Sequence, residues 1–190
     1  MSWMEIAGAV LGLINIVLLM RRSVWNFPAA MVMVALLGWV LADKRLYAEA
    51  GLQAFFFAAN VWGWWLWSRA NANANANESA DTVPVGWMTA RARIVWALIT
   101  AALSLSLGWL LHAFTDAALP FADSAVAGAS IAAQILLSLR RIENWALWVV
   151  IDVVSVGLYL NRELYALAAL YIAFGVLSVQ GWRQWRRVAA

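Results

Sequence analysis

One stretch of the chain, "NWALWVVIDVVSVGLYL", concentrates side chains that can hold a ligand. Trp145, Trp148, Asp152, Ser155 and Tyr159 fall at i, i+3, i+7, i+10 and i+14, a single helical face, while Val and Leu fill most of the rest. Aromatic faces attract cations and so does an ionised carboxylate, so this face suits a flat, positively charged guest. The bland alternative is an embedded Asp hydrogen-bonded to a Ser, Asn or Gln of a neighbouring helix, serving only to hold a bundle together. The indoles beside Asp152 favour a ligand.

A second stripe lies in "RLYAEAGLQAFFFAANVWGWW". Glu49, Gln53, Phe57, Asn60 and Trp64 are spaced by 4, 4, 3 and 4, again one face. The amides of Gln53 and Asn60 both donate and accept hydrogen bonds. Tyr171, Phe174 and Ser178 make a weaker stripe, Asn15 stands in an apolar stretch, and Asp123, Ser130 and Gln134 share a face. That last group sits in the small-residue run "ADSAVAGASIAA", which close helix packing mostly explains. The candidate ligand-binding set is Trp145, Trp148, Asp152, Asn144, Gln53, Phe57, Asn60 and Tyr171.

Other chemistry is missing from the sequence. There is no cysteine, which removes disulfides, thiol catalysis and Cys-based metal sites. The one histidine, His112, lies near the end of an apolar stretch and reads as an interfacial residue. No phosphate-cradling loop, zinc-ligand spacing or nucleophile–base pair is present. The expectation is neither an enzyme nor an ATP-driven pump, with no metal and no cofactor.

The elements that must position these stripes are membrane spans. Hydrophobic residues make up 65% of the 190 positions and charged residues 12%, more apolar sequence than a water-soluble core of this size can hide. Apolar spans are expected at about 3–20, 25–42, 46–67, 93–114, 119–139, 144–160 and 164–185. The opening "MSWMEIAGAVLGLINIVLLMRR" carries its Arg pair after the apolar run, which reads as a span and not a signal peptide. With seven spans, Arg21, Arg22, Arg69, Arg91, Arg93, Arg140, Arg141, Arg183, Arg186 and Arg187 fall on one side. Only Lys44, Arg45 and Arg162 fall on the other, so the N-terminus is expected outside and the C-terminus in the cytoplasm. This placement accounts for the net charge of +3, so no nucleic-acid partner is expected.

The chain also reads as duplicated. "GWWLWSR" from Gly63 and "GWRQWRR" from Gly181 share G-W-x-x-W-x-R, 118 residues apart, and the Leu-Tyr pairs of "KRLY" and "RELY" have the same offset. Trp25 and Trp145 stand 120 apart, a two-residue slip that a loop would absorb. The fold class is therefore an all-α integral membrane protein, with two parallel three-helix repeats joined by a central helix. Its parts would be a first unit at 1–67, a flexible cytoplasmic linker at 68–92, a central helix at 93–114 and a second unit at 119–187. Transporters of this plan hold their substrate between the repeats near the midplane. The Trp residues of the repeated element, ending each third helix, read as interfacial anchors.

The segments "LYAEAGLQAFFFAANVWGWWLWSR", "LPFADS" and "RRIENWALWVVIDVVSVGLY" resemble the PnuC family of bacterial nicotinamide riboside transporters, along nearly the whole chain except the Ala-Asn linker. The resemblance implies a 3+1+3 arrangement like that of the SWEET sugar transporters, and a homotrimer. It also implies facilitated diffusion across the inner membrane, with a separate cytoplasmic kinase trapping the substrate. Carried over by position, Trp145 and Trp148 would stack the pyridinium ring, while Gln53, Asn60 and Asn144 would bond the carboxamide or ribose. Asp152 departs from the Asn of many members and suits a cation. Thiamine, also a flat-ringed cation, is the alternative substrate; neutral riboflavin fits the acid less well. A third reading is a non-transporting sensor or scaffold whose stripes only associate helices.

Overall fold

The computed structural model describes residues 3–43, 47–75, 83–115 and 119–189; Lys44, Arg45, residues 76–82 and the Glu49 side chain lie outside the described set. Helices meet their own backbone hydrogen bonds, the requirement that an apolar surrounding imposes. Among the described residues there are seven: α1 (Trp3–Met20), α2 (Asn26–Asp43), α3 (Tyr47–Asn75), α4 (Ala90–Phe114), α5 (Pro120–Ser138), α6 (Glu143–Asn161) and α7 (Tyr165–Val188). Five of them, α2 and α4 to α7, are long and apolar enough to cross a membrane.

The expected linker at 68–92 differs from the structure on both sides. α3 continues to Asn75, because alanine is the best helix former and extending an existing helix is easier than starting one. Residues 83–89 form a strap against the α5–α6 turn. Gly86 N–H donates to the Arg140 carbonyl and Ile142 N–H to that of Gly86, both at 3.1 Å. The Met88 N–H donates to the Glu143 carboxylate, which also holds Arg93 at 2.7 Å.

The packing order closes a ring. α2 lies between α1 and α3, α6 lies between α5 and α7, and the two triplets join where α3 meets α5 and α1 meets α7. α4 touches α5 alone among the described helices, with Gly128 seated against the Ser104 backbone. Ile94, Leu98, Leu105, Trp109 and Phe114 of α4 are each more than 60% exposed, an apolar face suited to lipid.

One end of the ring is filled by aromatic side chains. Trp67, Trp145 and Trp185 are fully buried there with Phe27, Leu19, Leu137, Ile142 and Val83 of the strap. Trp67 and Trp185 are therefore core residues and not the interfacial anchors expected from their position near helix ends. An indole N–H in so dry a place is costly to leave unpaired, and two of these three find an acceptor, while Trp145 Nε1 has none among the described residues. Trp67 Nε1 donates to the Leu137 carbonyl and Trp185 Nε1 to that of Leu19, both at 3.3 Å. Donors and acceptors are each 118 residues apart.

The same offset recurs throughout this end. Phe27 meets Trp67 edge-on at 5.1 Å, and Trp145 meets Trp185 edge-on at 5.4 Å. The partner of Trp145 in the repeat is thus Phe27, at an offset of 118 with no slip. Trp25, 65% exposed, takes no part. Asn26 Nδ2 donates to the Ser23 carbonyl, and Asn144 Nδ2 to that of Arg141. Arg22 and Arg140 end their helices in the left-handed region, with φ of 57° and 60°. That conformation costs about 1–2 kcal/mol without glycine, offset by paired backbone bonds that satisfy the last carbonyls. Burial lowers the pKa of both guanidinium groups from the usual arginine value, and the charge of Arg141 adds to the effect at Arg140.

Glycine makes this packing possible. A Cβ on Gly63 would overlap the Phe27 ring, and one on Gly181 the Trp145 ring, whereas one on Gly8 would meet nothing within 4 Å. Gly181→Ala and Gly63→Ala are each expected to destabilise the protein by about 1–3 kcal/mol through overpacking. Gly8→Ala should leave stability unchanged or slightly raised, and thermal unfolding in detergent reads all three.

Candidate functional site

The ring encloses a cavity of about 260 Å³ whose lining comes from α1, α2, α3, α5, α6 and α7, and not from α4. Leu19, Leu137 and Trp145 belong both to the lining and to the aromatic cluster, so the cluster forms the floor. Of the expected residues, Trp145, Trp148, Asp152, Gln53, Asn60 and Tyr171 all line this one space. They come from three helices whose stripes had been legible only separately.

Each wall has its own chemistry. On α6, Trp148 is half-buried, while Trp145 is closed into the floor against Trp185. Asp152 Oδ2 accepts a hydrogen bond from Ser178 Oγ of α7 at 3.0 Å. Gly175 keeps α7 close there, since a Cβ on it would lie 3.4 Å from Asp152 Cβ. Tyr171 stacks obliquely on Tyr159 at 5.1 Å and edge-on to Phe174 at 5.6 Å. Across the cavity, Asn60 Nδ2 donates to the Phe56 carbonyl at 2.8 Å, and its Oδ1 accepts from Gln134 Nε2 of α5 at 3.3 Å. Among the described residues, Asp152 is the only carboxylate in the lining, and no Lys or Arg belongs to it. The cavity thus offers an indole face, one acid and several amides in an otherwise apolar enclosure.

Two expected residues lie elsewhere. Phe57 is 42% exposed on the outside of α3, and its neighbour Phe56 lines the cavity. Phe56 is three residues after Gln53 and four before Asn60, so it shares their face as well as Phe57 does by spacing alone. Asn144 is fully buried but outside the lining, and its Nδ2 caps the Arg141 carbonyl at 2.5 Å in the α5–α6 turn. Conversely, Gln134 and Ser130 line the cavity, although the small residues around them had pointed to packing. Their signal was polarity inside an apolar span. Asp123, on the same stripe, instead pairs with Arg162 at 2.9 Å.

A second hollow, of about 460 Å³, lies between α6 and α7 on their outer face and shares Asp152 and Tyr171 with the first. Its rim is Val153, Ile172 and Val176, all more than half exposed. Convergent polar groups belong to the central cavity, the usual architecture of a small-molecule site.

An apolar helical ring around a cavity of this chemistry defines a membrane transport protein. The description of the nicotinamide mononucleotide transporter family matches residues 2–187, and the chain belongs to that family. It is 32% identical over 204 residues to the nicotinamide riboside transporter PnuC of Escherichia coli strain K12, covering 97% of this chain and 85% of that one. It is 28% identical over 188 residues to the riboflavin/roseoflavin transporter RibM of Streptomyces davaonensis, covering 96% and 84%. Among solved structures it matches that of the vitamin B3 transporter PnuC with a TM-score of 0.80 and 25% identity, over 98% of this chain and 82% of the other.

The geometry separates Asn144 from the cavity. Asn144→Ala is expected to cost about 1 kcal/mol of stability through loss of its turn hydrogen bond. Phe57→Ala should stay within about 0.5 kcal/mol, as surface changes usually do. Thermal melts of the two purified variants check both.

Proposed function

We propose that the protein takes up nicotinamide riboside by facilitated diffusion through the central cavity. The observation that carries this reading is the convergence of Trp148, Asp152 with Ser178, and the amides of Gln53, Asn60 and Gln134 on one enclosed space. A pyridinium ring would lie on the Trp148 face, its positive charge toward Asp152, with the carboxamide and ribose hydroxyls meeting the amides. Trp145 supports the stacking residue from the floor, and Tyr171 with Phe174 bounds the far side. The cavity is slightly smaller than the roughly 300–1,000 Å³ usual for such sites, which favours a single ring with one sugar over a three-ring flavin. Thiamine, a cation of similar size, is the second reading, favoured by Asp152.

The proposed architecture is two parallel three-helix units, α1–α3 and α5–α7, joined through α4, with all seven helices crossing the membrane. Support comes from the hydrogen bonds, ring contacts and helix ends that recur at 118 residues, and from the mirrored α3–α5 and α7–α1 contacts. The basic residues at the aromatic end favour a cytoplasmic C-terminus, with the chain in a bacterial inner membrane. Transport would need no catalytic group; a separate cytoplasmic kinase would trap the substrate, and the exposed apolar helix faces leave room for a homotrimer.

Calorimetry on the detergent-purified protein tests the reading with nicotinamide riboside, thiamine and riboflavin. Nicotinamide riboside is expected to bind most tightly. Trp148→Ala should weaken it at least about tenfold, since stacking on an aromatic is worth about 1–3 kcal/mol. Asp152→Asn should weaken both cations while sparing any riboflavin signal. Tighter binding of thiamine would transfer the function to the second reading.

A further inference from the structure

The two amides that face each other across the α3–α5 seam are not equivalent. The Phe56 carbonyl can only accept, so the Asn60 atom that faces it at 2.8 Å is the nitrogen. Asn60 Oδ1 is thereby turned toward α5, where it must meet a donor, and it meets Gln134 Nε2 at 3.3 Å. A backbone carbonyl thus sets the orientation of one amide, and that amide sets the next. Gln134 is only 6% exposed, and no described residue donates to its Oε1. The seam is held at this level by Ser138, whose hydroxyl lies 3.0 Å from the Gln134 carbonyl and 3.5 Å from that of Ala59.

We propose that Gln134 is a specificity-determining residue whose Oε1 selects a ligand bearing an amide N–H over one bearing a carboxylate in its place, and that Asn60 is the positioning residue that keeps Oε1 available. The proposal rests on the nicotinamide riboside reading and refines it. A ligand carboxamide supplies two N–H donors to an acceptor of the cavity lining, whereas a carboxylate supplies none and sets oxygen against oxygen. Among the described residues, the only charged one in the lining, Asp152, is an acid, and no described Lys or Arg there would compensate a ligand carboxylate. Asn60 then acts through Gln134, with its own donor and acceptor both engaged within the protein.

The test is calorimetric titration of the purified protein with nicotinamide riboside and with its analogue carrying –COO⁻ in place of –CONH2. The wild type is expected to prefer the amide at least about tenfold. Gln134→Met, which keeps the length and removes the acceptor, should lower amide affinity about tenfold and reduce the preference by about the same factor. Asn60→Leu should do the same, and the double variant should lose no more than either single one, because the two act as a unit. Asn60→Leu decides the matter if Gln134→Met does not fold.

A folded Gln134→Met that keeps the wild-type preference would overturn the assignment, as would equal weakening of both ligands, which is what a merely structural role gives. Additive losses in the double variant would also overturn it. If the wild type binds neither compound, the functional reading itself fails, an outcome distinct from all of these.

Discussion

Two indole N–H groups in a dry interior set the terms for the rest of the structure. Trp67 and Trp185 are fully buried, and neither can reach water. An unmet donor there would cost about 1–3 kcal/mol. Each finds its acceptor among the last carbonyls of a helix in the other triplet, Leu137 for Trp67 and Leu19 for Trp185. Each of those carbonyls also accepts from the left-handed residue that ends its helix, Arg140 N–H for Leu137 and Arg22 N–H for Leu19, so the indole takes the second lone pair. The two bonds therefore pin α3 to the end of α5 and α7 to the end of α1, the two seams that close the ring. The cavity exists because those seams are held.

The repeat is kept at the floor and given up in the cavity. Around the Trp pair, Gly matches Gly, Asn matches Asn and aromatic matches aromatic at the same offset. In the lining, Ala30 stands where the second unit has Trp148, Val34 where it has Asp152, and Ile16 where it has Gln134. A pseudo-symmetric frame can hold an asymmetric small molecule only if the two halves differ where they would touch it. The small apolar residues of α1 and α2 leave room, and the larger polar ones of α5 and α6 supply chemistry. The same division explains why Asp152 needs Ser178: a carboxylate facing valine and isoleucine requires a hydrogen-bond donor close by, and Gly175 lets α7 bring one.

The strap adds a feature that composition conceals. Pro84 and Gly86 read as linker, yet Val83 is fully buried against the Trp cluster, and Arg22, Arg140 and Arg141 all donate to strap carbonyls. Those arginines also belong to the basic set that sets the expected orientation. At the same helix ends these side chains hold, through their hydrogen bonds, the backbone that covers the floor.

The sequence by itself determined the helices and the chemistry available to them. Apolar runs near the length of a bilayer, bounded by Arg, Pro and turn residues, located all seven to within a few residues except the end of α3, where alanine propensity outran the apolar signal. Periodicity put Trp148, Asp152, Gln53 and Asn60 on faces that the fold brings together. Only the tertiary structure decided between Phe56 and Phe57, since a spacing of three and one of four both lie on one helical face. It also decided that Asn144 caps a turn, that Trp67 and Trp185 are core, and that Gln134 looks into the cavity. Each of those outcomes depends on which helix lies opposite, and a one-dimensional pattern records the face a residue occupies but not the neighbour that face will meet.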